Sequence, residues 1–175
     1  MNRKMTALSA VSLFSFLSLG LFASPARAEL DGPIRNFERF AKNLKSCQIS
    51  PLPVIDPREH RYGGTVGNQR VSIWVYLNQG RICGERLEVG IPPETADEYA
   101  LAIMNRFFQE FVGSRHWRSM LDLKLRSMRK NIIDGGYSFA SRDMGNMRMT
   151  LLLDSKTREE MPNWLYWVGD IRRVR

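Results

Sequence analysis

Histidine and cysteine are both scarce in this chain, which has 2 of each among 175 residues. No C-x-x-C or H-x-x-x-H spacing would aim several of them at one ion, so no metal site is expected. A serine triad needs a histidine base, and neither His60 nor His116 accompanies a G-x-S-x-G nucleophile motif. The sequence contains no complete catalytic set, so no catalytic residue and no cofactor are predicted.

Long uncharged runs are missing as well, except near the start of the chain. Residues 7–22 are apolar or small and carry no charge, but a spanning helix needs ~20 such residues. Ala26-Arg27-Ala28 fits the small-x-small pattern that signal peptidase reads. A retained membrane anchor is the alternative. We expect residues 1–28 to be a cleaved signal peptide and residues 29–175 to form one periplasmic or secreted domain without a membrane span.

The two cysteines both lie in the part that would be exported. In an oxidising compartment two cysteines are more often bridged than reduced, and Cys47 and Cys83 allow a single pairing. A Cys47–Cys83 disulfide is therefore expected. It would join the end of the first predicted helix to the sheet.

Positive charge exceeds negative charge, with 26 Lys and Arg against 18 Asp and Glu. The excess is concentrated in residues 115–130, where six basic residues stand against Asp122 alone. Leucines alternate with charged residues over 121–126, which is typical of a strand with one wet face. Over the wider window, however, Trp117 and the following apolar residues recur at helical spacing. No β-branched residue interrupts them, so the pattern favours a basic amphipathic helix.

The polar side of this helix is the predicted binding site. A basic face of this kind suits an acidic protein or an anionic envelope surface, although a merely solvated helix face shows the same pattern. The predicted binding face consists of Arg115, Arg118, Arg126, Arg129 and Lys130.

Periodicity along the rest of the chain predicts the fold. Helical spacing marks residues 34–44 and 96–111, and Thr95 and Glu98 match a capping box at the start of the second of these helices. Alternation over 71–89 predicts a hairpin, the proline- and glycine-rich residues 50–67 indicate a loop, and three further strands are predicted in the tail. The order α-β-β-α-α-β-β-β predicts a single α+β domain. We expect an antiparallel sheet of about five strands, with two or three helices packed on one face.

Export, local charge and the incomplete catalytic set together favour a non-enzymatic binding or accessory protein of the bacterial envelope. Nucleic acid is not an expected partner, because export separates the chain from it and no nucleic-acid-binding motif is present. The alternative is a small envelope hydrolase that cleaves polysaccharide or peptidoglycan with paired carboxylates. Its candidate carboxylates are Asp97, Glu98, Glu110, Glu159 and Glu160.

We predict that the exported protein begins at Glu29, because the uncharged run and the small-x-small sequence before it fit the peptidase. The intact mass of the exported protein measures this directly. Full-length chain held in the inner membrane would instead establish an anchored protein.

Overall fold

The computed structural model describes residues 29–43, 47–154 and 164–174. Within them, the chain forms three helices and seven strands in the order α-β-β-β-β-α-α-β-β-β. The helices are α1 (Ile34–Asn43), α2 (Glu98–Phe111) and α3 (Arg115–Gly135). The strands are β1 (Cys47–Pro51), β2 (Glu59–Val66), β3 (Gln69–Asn78), β4 (Arg81–Ile91), β5 (Phe139–Met144), β6 (Met147–Asp154) and β7 (Leu165–Arg173).

All seven strands belong to one antiparallel sheet, with the spatial order β1-β2-β3-β4-β7-β6-β5. Strands β1 to β4 are consecutive neighbours in the sheet. Helices α2 and α3 follow β4 in the chain, and β5 then forms the edge of the sheet opposite β1. Strand β6 pairs with β5, and β7 lies between β6 and β4 and pairs with both. The predicted single α+β domain with an antiparallel sheet is confirmed. The number of strands, predicted as about five, is wrong.

The two additional strands are β1 and β2. Strand β1 begins at Cys47, before the segment predicted to be a loop, residues 50–67, and β2 lies inside that segment. Gly63 and Gly64 are inside β2 rather than in a turn, whereas Gly67 follows β2 and has the positive φ that a turn requires. A side chain on Gly64 would collide with the carbonyl oxygen of Gln48 on β1, so glycine permits the two strands to approach closely. Pro51 ends β1, which is an edge strand and tolerates the missing amide donor.

The hydrophobic core lies between the sheet and the three helices. Aromatic rings of α1 pack there against rings of β2 and α2. The ring centroids of Phe37 and Tyr62 are 4.8 Å apart, and those of Phe40 and Phe107 are 5.6 Å apart. Helix α2 approaches β7 closely, because a Cβ on Gly169 would lie 2.8 Å from the ring of Phe108. This packing fixes one face of the sheet as the core face, and none of the three described helices covers the other face.

The long basic segment is a helix, so the prediction of α3 is confirmed and the strand alternative is wrong. Leu121, Leu125, Met128 and Ile132 are buried on its inner side. The chain ends α3 at Gly136, which takes the left-handed conformation that glycine accepts most easily.

Helix α2 is also confirmed, but its predicted capping box is not formed. The N-cap residue is Asp97 rather than Thr95, and no side chain caps the helix. The carboxylate of Asp97 instead receives two hydrogen bonds of 2.8 Å from Arg129 on α3. The start of α2 is therefore tied to α3 by a charged pair.

The predicted Cys47–Cys83 disulfide is wrong. Cys47 lies on β1 and Cys83 on β4, with β2 and β3 between them, and the two are not bonded to each other. Three strand spacings of about 4.8 Å alone separate them by at least about 14 Å, whereas bridged cysteines have Cα atoms less than about 7 Å apart.

The predicted signal peptide, residues 1–28, lies outside the described residues. No helix that the structure describes is long and apolar enough to cross a membrane.

A fully buried carboxyl group lies on the core side of the sheet. Glu85 on β4 is fully buried, and neither of its carboxyl oxygens has a hydrogen-bond partner among the described residues. Burial, and next the charge of Asp170, raise the pKa of the Glu85 carboxyl well above its usual value. The folded protein therefore holds a proton on Glu85 that the unfolded chain releases above about pH 4.3.

We predict that Glu85→Gln makes the protein more stable than wild type at neutral and alkaline pH. The raised pKa means that Glu85 weakens folding progressively as pH rises from about 4.3 toward the pKa of the folded state, by up to ~1.4 kcal/mol per pH unit. Glutamine cannot ionise, so the variant should lack this slope.

Urea unfolding at several pH values measures the effect. The control is Glu94→Gln, which changes an exposed carboxylate and should keep the wild-type slope. Equal pH dependence in the Glu85 variant and in wild type would contradict the prediction.

Candidate anion-binding groove

The sheet face opposite the helices carries two rows of polar and aromatic residues. The strand register places Trp74, Arg86, Asp170 and Thr150 side by side across β3, β4, β7 and β6. The next row in the same register contains Tyr76, Gly84, Arg172, Arg148 and Asp143. Alternation along each strand directs these side chains away from the core.

Each row contains an arginine stacked on an aromatic ring. The guanidinium carbon of Arg86 lies 5.4 Å from the ring centroid of Trp74, and that of Arg172 lies 4.3 Å from the ring centroid of Tyr76. Cation–π contacts of this kind hold a guanidinium group in place while its N–H groups remain available to bind an anion.

Gly84 makes the second stack possible. It lies between Tyr76 and Arg172 in the sheet, and a Cβ at this position would approach the Cγ of Arg172 to 2.9 Å. Because Gly84 has no side chain, Arg172 crosses β4 and reaches the ring on β3.

Asp170 orients Arg172 from the same strand. The Nε of Arg172 donates to both carboxylate oxygens at 2.8 and 3.0 Å, and its Nη2 donates at 2.8 Å. These hydrogen bonds raise the pKa of Arg172 although burial opposes the shift. Burial of the neighbouring ring also raises the pKa of Tyr76, so Tyr76 stays neutral under physiological conditions and contributes no charge.

Part of each row lines an open groove of about 540 Å³. The described lining contains four arginines and one carboxylate. The lining residues are Arg86, Arg148, Thr150, Leu152, Val168, Asp170, Arg172, Arg173 and Val174.

Two of the four arginines are engaged by exposed carboxylates outside the lining. Arg148 donates to Asp143 at 2.7 Å, and Arg173 lies 2.6 Å from Asp31. Exposed pairs stabilise a protein by only about 0–1 kcal/mol. A ligand carboxylate or phosphate can therefore compete with them.

Arg86 differs from the other three arginines. It forms no ion pair with any described carboxylate, and its Nε is buried without a hydrogen-bond partner among the described residues. A buried donor without an acceptor costs about 1–3 kcal/mol more than a satisfied one. Arg86 is therefore the residue of the groove that gains most from a bound anion.

The predicted binding face on α3 lies on the opposite side of the sheet, because α3 packs against the core faces of β5 and β6. Three of its arginines form ion pairs or hydrogen bonds within the protein. Arg126 pairs with Asp122 at 2.8 Å, Arg129 pairs with Asp97 and Glu98, and Arg118 donates to the carbonyl oxygen of Gly113.

The remaining two residues of that face, Arg115 and Lys130, are exposed near opposite ends of α3. At 1.5 Å per residue they are about 22 Å apart along the helix axis. The helix therefore does not gather the five predicted residues into one charged cluster.

The two histidines do not meet. His60 lies on β2, whereas His116 is at the start of α3 with its ring 4.9 Å from that of Trp117. In the ranges that the structure covers, no three His, Cys, Asp or Glu side chains are grouped as metal ligands.

A second, smaller groove of about 390 Å³ lies between α2 and the ends of β1 and β2. Its described lining includes Cys47, Tyr99, Ile103 and Phe107, with Arg106 as its single charged residue. It offers less charge for recognition than the groove on the open face.

Sequence reasoning missed the groove, although part of its signal was visible. The period-two pattern of β3 placed Trp74 and Tyr76 together on one face, and the C-terminal residues Arg172 and Arg173 formed a minor basic cluster. The missing information was that β7 pairs with β4, which brings the basic tail beside Arg86.

Comparison of the chain with models of protein families, with curated proteins and with solved structures found no significant match.

We predict that Gly84→Ala lowers the free energy of unfolding by about 1–3 kcal/mol, the usual effect of overpacking. The added methyl group would displace Arg172 from Tyr76 and would also lie 3.0 Å from the carbonyl oxygen of Ile171. Urea unfolding measures the loss.

Gly113→Ala serves as the matched control, because the nearest atom to a Cβ there is 3.7 Å away. This variant should be within about 0.5 kcal/mol of wild type. If both variants were equally stable, Gly84 would not be needed for the crossing of Arg172.

Proposed function

We propose that this chain is an exported, non-enzymatic binding or accessory protein of a bacterial envelope, and that it captures an acidic ligand in the groove on the open sheet face. One observation carries the proposal: among the described residues, four arginines and a single carboxylate line this groove. Two of the guanidinium groups are fixed by aromatic rings. Such preorganised guanidinium groups bind carboxylate or phosphate with little loss of side-chain entropy.

The expected export to the periplasm is compatible with this role. The leader pattern of residues 1–28 supports it, and anionic headgroups and acidic surfaces are abundant at an envelope. The contact surface proposed here is the groove, and not the α3 face that the charge distribution of the sequence favoured.

The arrangement of carboxylates favours binding over hydrolysis. Asp97 and Glu98 are paired with Arg129, and Glu110 lies on α2, while residues 159 and 160 lie outside the described residues. Among the residues known to line the groove, Asp170 is the single carboxylate, and Arg172 holds it. Glycoside cleavage needs two carboxylates flanking the bond.

The aromatic residues do not favour nucleic acid as the ligand. Proteins bind single strands by stacking bases on exposed rings. Here, guanidinium groups already cover the rings of Trp74 and Tyr76, so the two rings beside the arginines are not free for base stacking.

The test compares two triple variants with the same change of charge. Arg86→Gln, Arg148→Gln and Arg172→Gln together remove three positive charges from the groove, whereas Arg115→Gln, Arg118→Gln and Arg126→Gln remove three from α3. Binding of a short polyglutamate peptide and of phosphatidylglycerol vesicles is measured by titration at low salt. We expect at least one of the two probes to bind the wild-type protein. The groove variant should bind that probe about tenfold or more weakly, because direct charge-assisted hydrogen bonds are removed.

The α3 variant should lose no more than about threefold, since it changes only the long-range field. Thermal unfolding of each variant separates lost binding from lost structure. The opposite ranking would return the binding site to α3, and wild type that binds neither acidic probe would contradict the proposed function.

A further inference from the structure

We propose that the groove takes a small amphipathic anion, in which one carboxylate or phosphate group is attached to an unbranched alkyl chain. The charged group would bind at Arg86, and the chain would lie along Val168, Leu152 and Phe139. This inference rests on the proposed function and adds the class of ligand.

Arg86 supplies the position for the charged group. Its guanidinium is stacked on Trp74, and its Nε lacks a partner among the described residues. The neighbouring carboxylate, Asp170, accepts three hydrogen bonds from Arg172. Its charge is therefore compensated locally, and the described lining keeps a net charge of +3 from four arginines and one aspartate.

An apolar path begins beside the charged row. Val168 precedes Asp170 by two residues on β7, so it lies on the same face about 7 Å away along the strand. Val168 pairs with Leu152 on β6, and Leu152 pairs with Phe139 on β5. These two strand spacings give a path of about 10 Å that leads away from the arginines.

The burial of these residues suits the contact with a chain. Val168 is buried and forms the floor, Leu152 is half-buried, and Phe139 is 57% exposed at the edge of the sheet. In the other direction Val168 pairs with Glu88, so the apolar path ends at β4. The chain therefore has one direction available, toward β5.

The size of the groove points to a small molecule. Its volume of about 540 Å³ lies within the roughly 300–1,000 Å³ that small-molecule sites occupy. The lining side chains Leu152, Val168 and Val174 are aliphatic, so the site offers packing for an alkyl chain.

The experiment titrates the full exported chain with octanoate and with octyl phosphate, which distinguish a carboxylate from a phosphate headgroup. Acetate and inorganic phosphate test the charge alone, and octan-1-ol tests the chain alone. We expect at least one chain-bearing anion to bind about tenfold or more tightly than its chainless counterpart and than octan-1-ol. Calorimetry gives the affinities, and amide chemical-shift changes should map to β4, β6 and β7.

Two single variants separate the parts of the site. Arg86→Gln should weaken both chain-bearing anions by about tenfold. Leu152→Thr should weaken the chain-bearing anions but leave the binding of inorganic phosphate unchanged. Arg126→Gln on α3 is the matched control, and it should change the affinity for each probe by no more than about twofold. Unfolding curves confirm that each variant is folded.

The outcomes distinguish this inference from the function on which it rests. If phosphate or polyglutamate binds through Arg86 and the alkyl chain adds no affinity, the amphipathic ligand is wrong while the anion-binding function stands. If octan-1-ol binds as tightly as octanoate and octyl phosphate, the groove is an apolar site and the inference fails. If none of the anionic probes binds, both proposals fail.

Discussion

The alternation of side chains along β4 and β7, at the centre of the sheet, determines both the core and the candidate site. On one face, Leu87 and Trp167 are fully buried against the helices. On the other face, Arg86, Asp170 and Arg172 line the groove. A register slip of one residue would exchange these faces and bury the arginines. The core that specifies the register therefore also places the charges of the groove.

The exception to this separation is Glu85, which follows the alternation onto the core face and is buried there. It precedes Arg86 on the same strand, and Asp170 beside it contributes to its raised pKa. A charged Glu85 would be repelled by Asp170 and would be poorly solvated. The proton on Glu85 thus allows one strand to carry a carboxyl group inward and a guanidinium outward without an uncompensated buried charge.

The local parts of the fold could be predicted from the sequence, whereas the site could not. Helical spacing in α2 and α3 and the Gln79-Gly80 turn between β3 and β4 are short-range features. The groove depends on the pairing of β4 with β7, whose residues are more than 70 positions apart in the chain. The disulfide prediction was wrong for a similar reason. Two cysteines allow one pairing, but the sequence does not show that β2 and β3 lie between them.

Charge counting along the chain favoured α3, but it takes no account of how charges compensate one another in space. The basic helix α3 meets Asp122 on its own face and Asp97 and Glu98 from α2. In the groove, Arg172 is likewise compensated by Asp170, but Arg86 meets an aromatic ring instead of a described carboxylate. The ring holds the guanidinium group in position without neutralising its charge. The buried Nε–H of Arg86 therefore still lacks a hydrogen-bond acceptor. An anion bound there would recover stabilisation that the fold itself leaves unused, which is why we propose the groove, rather than the basic helix, as the binding site.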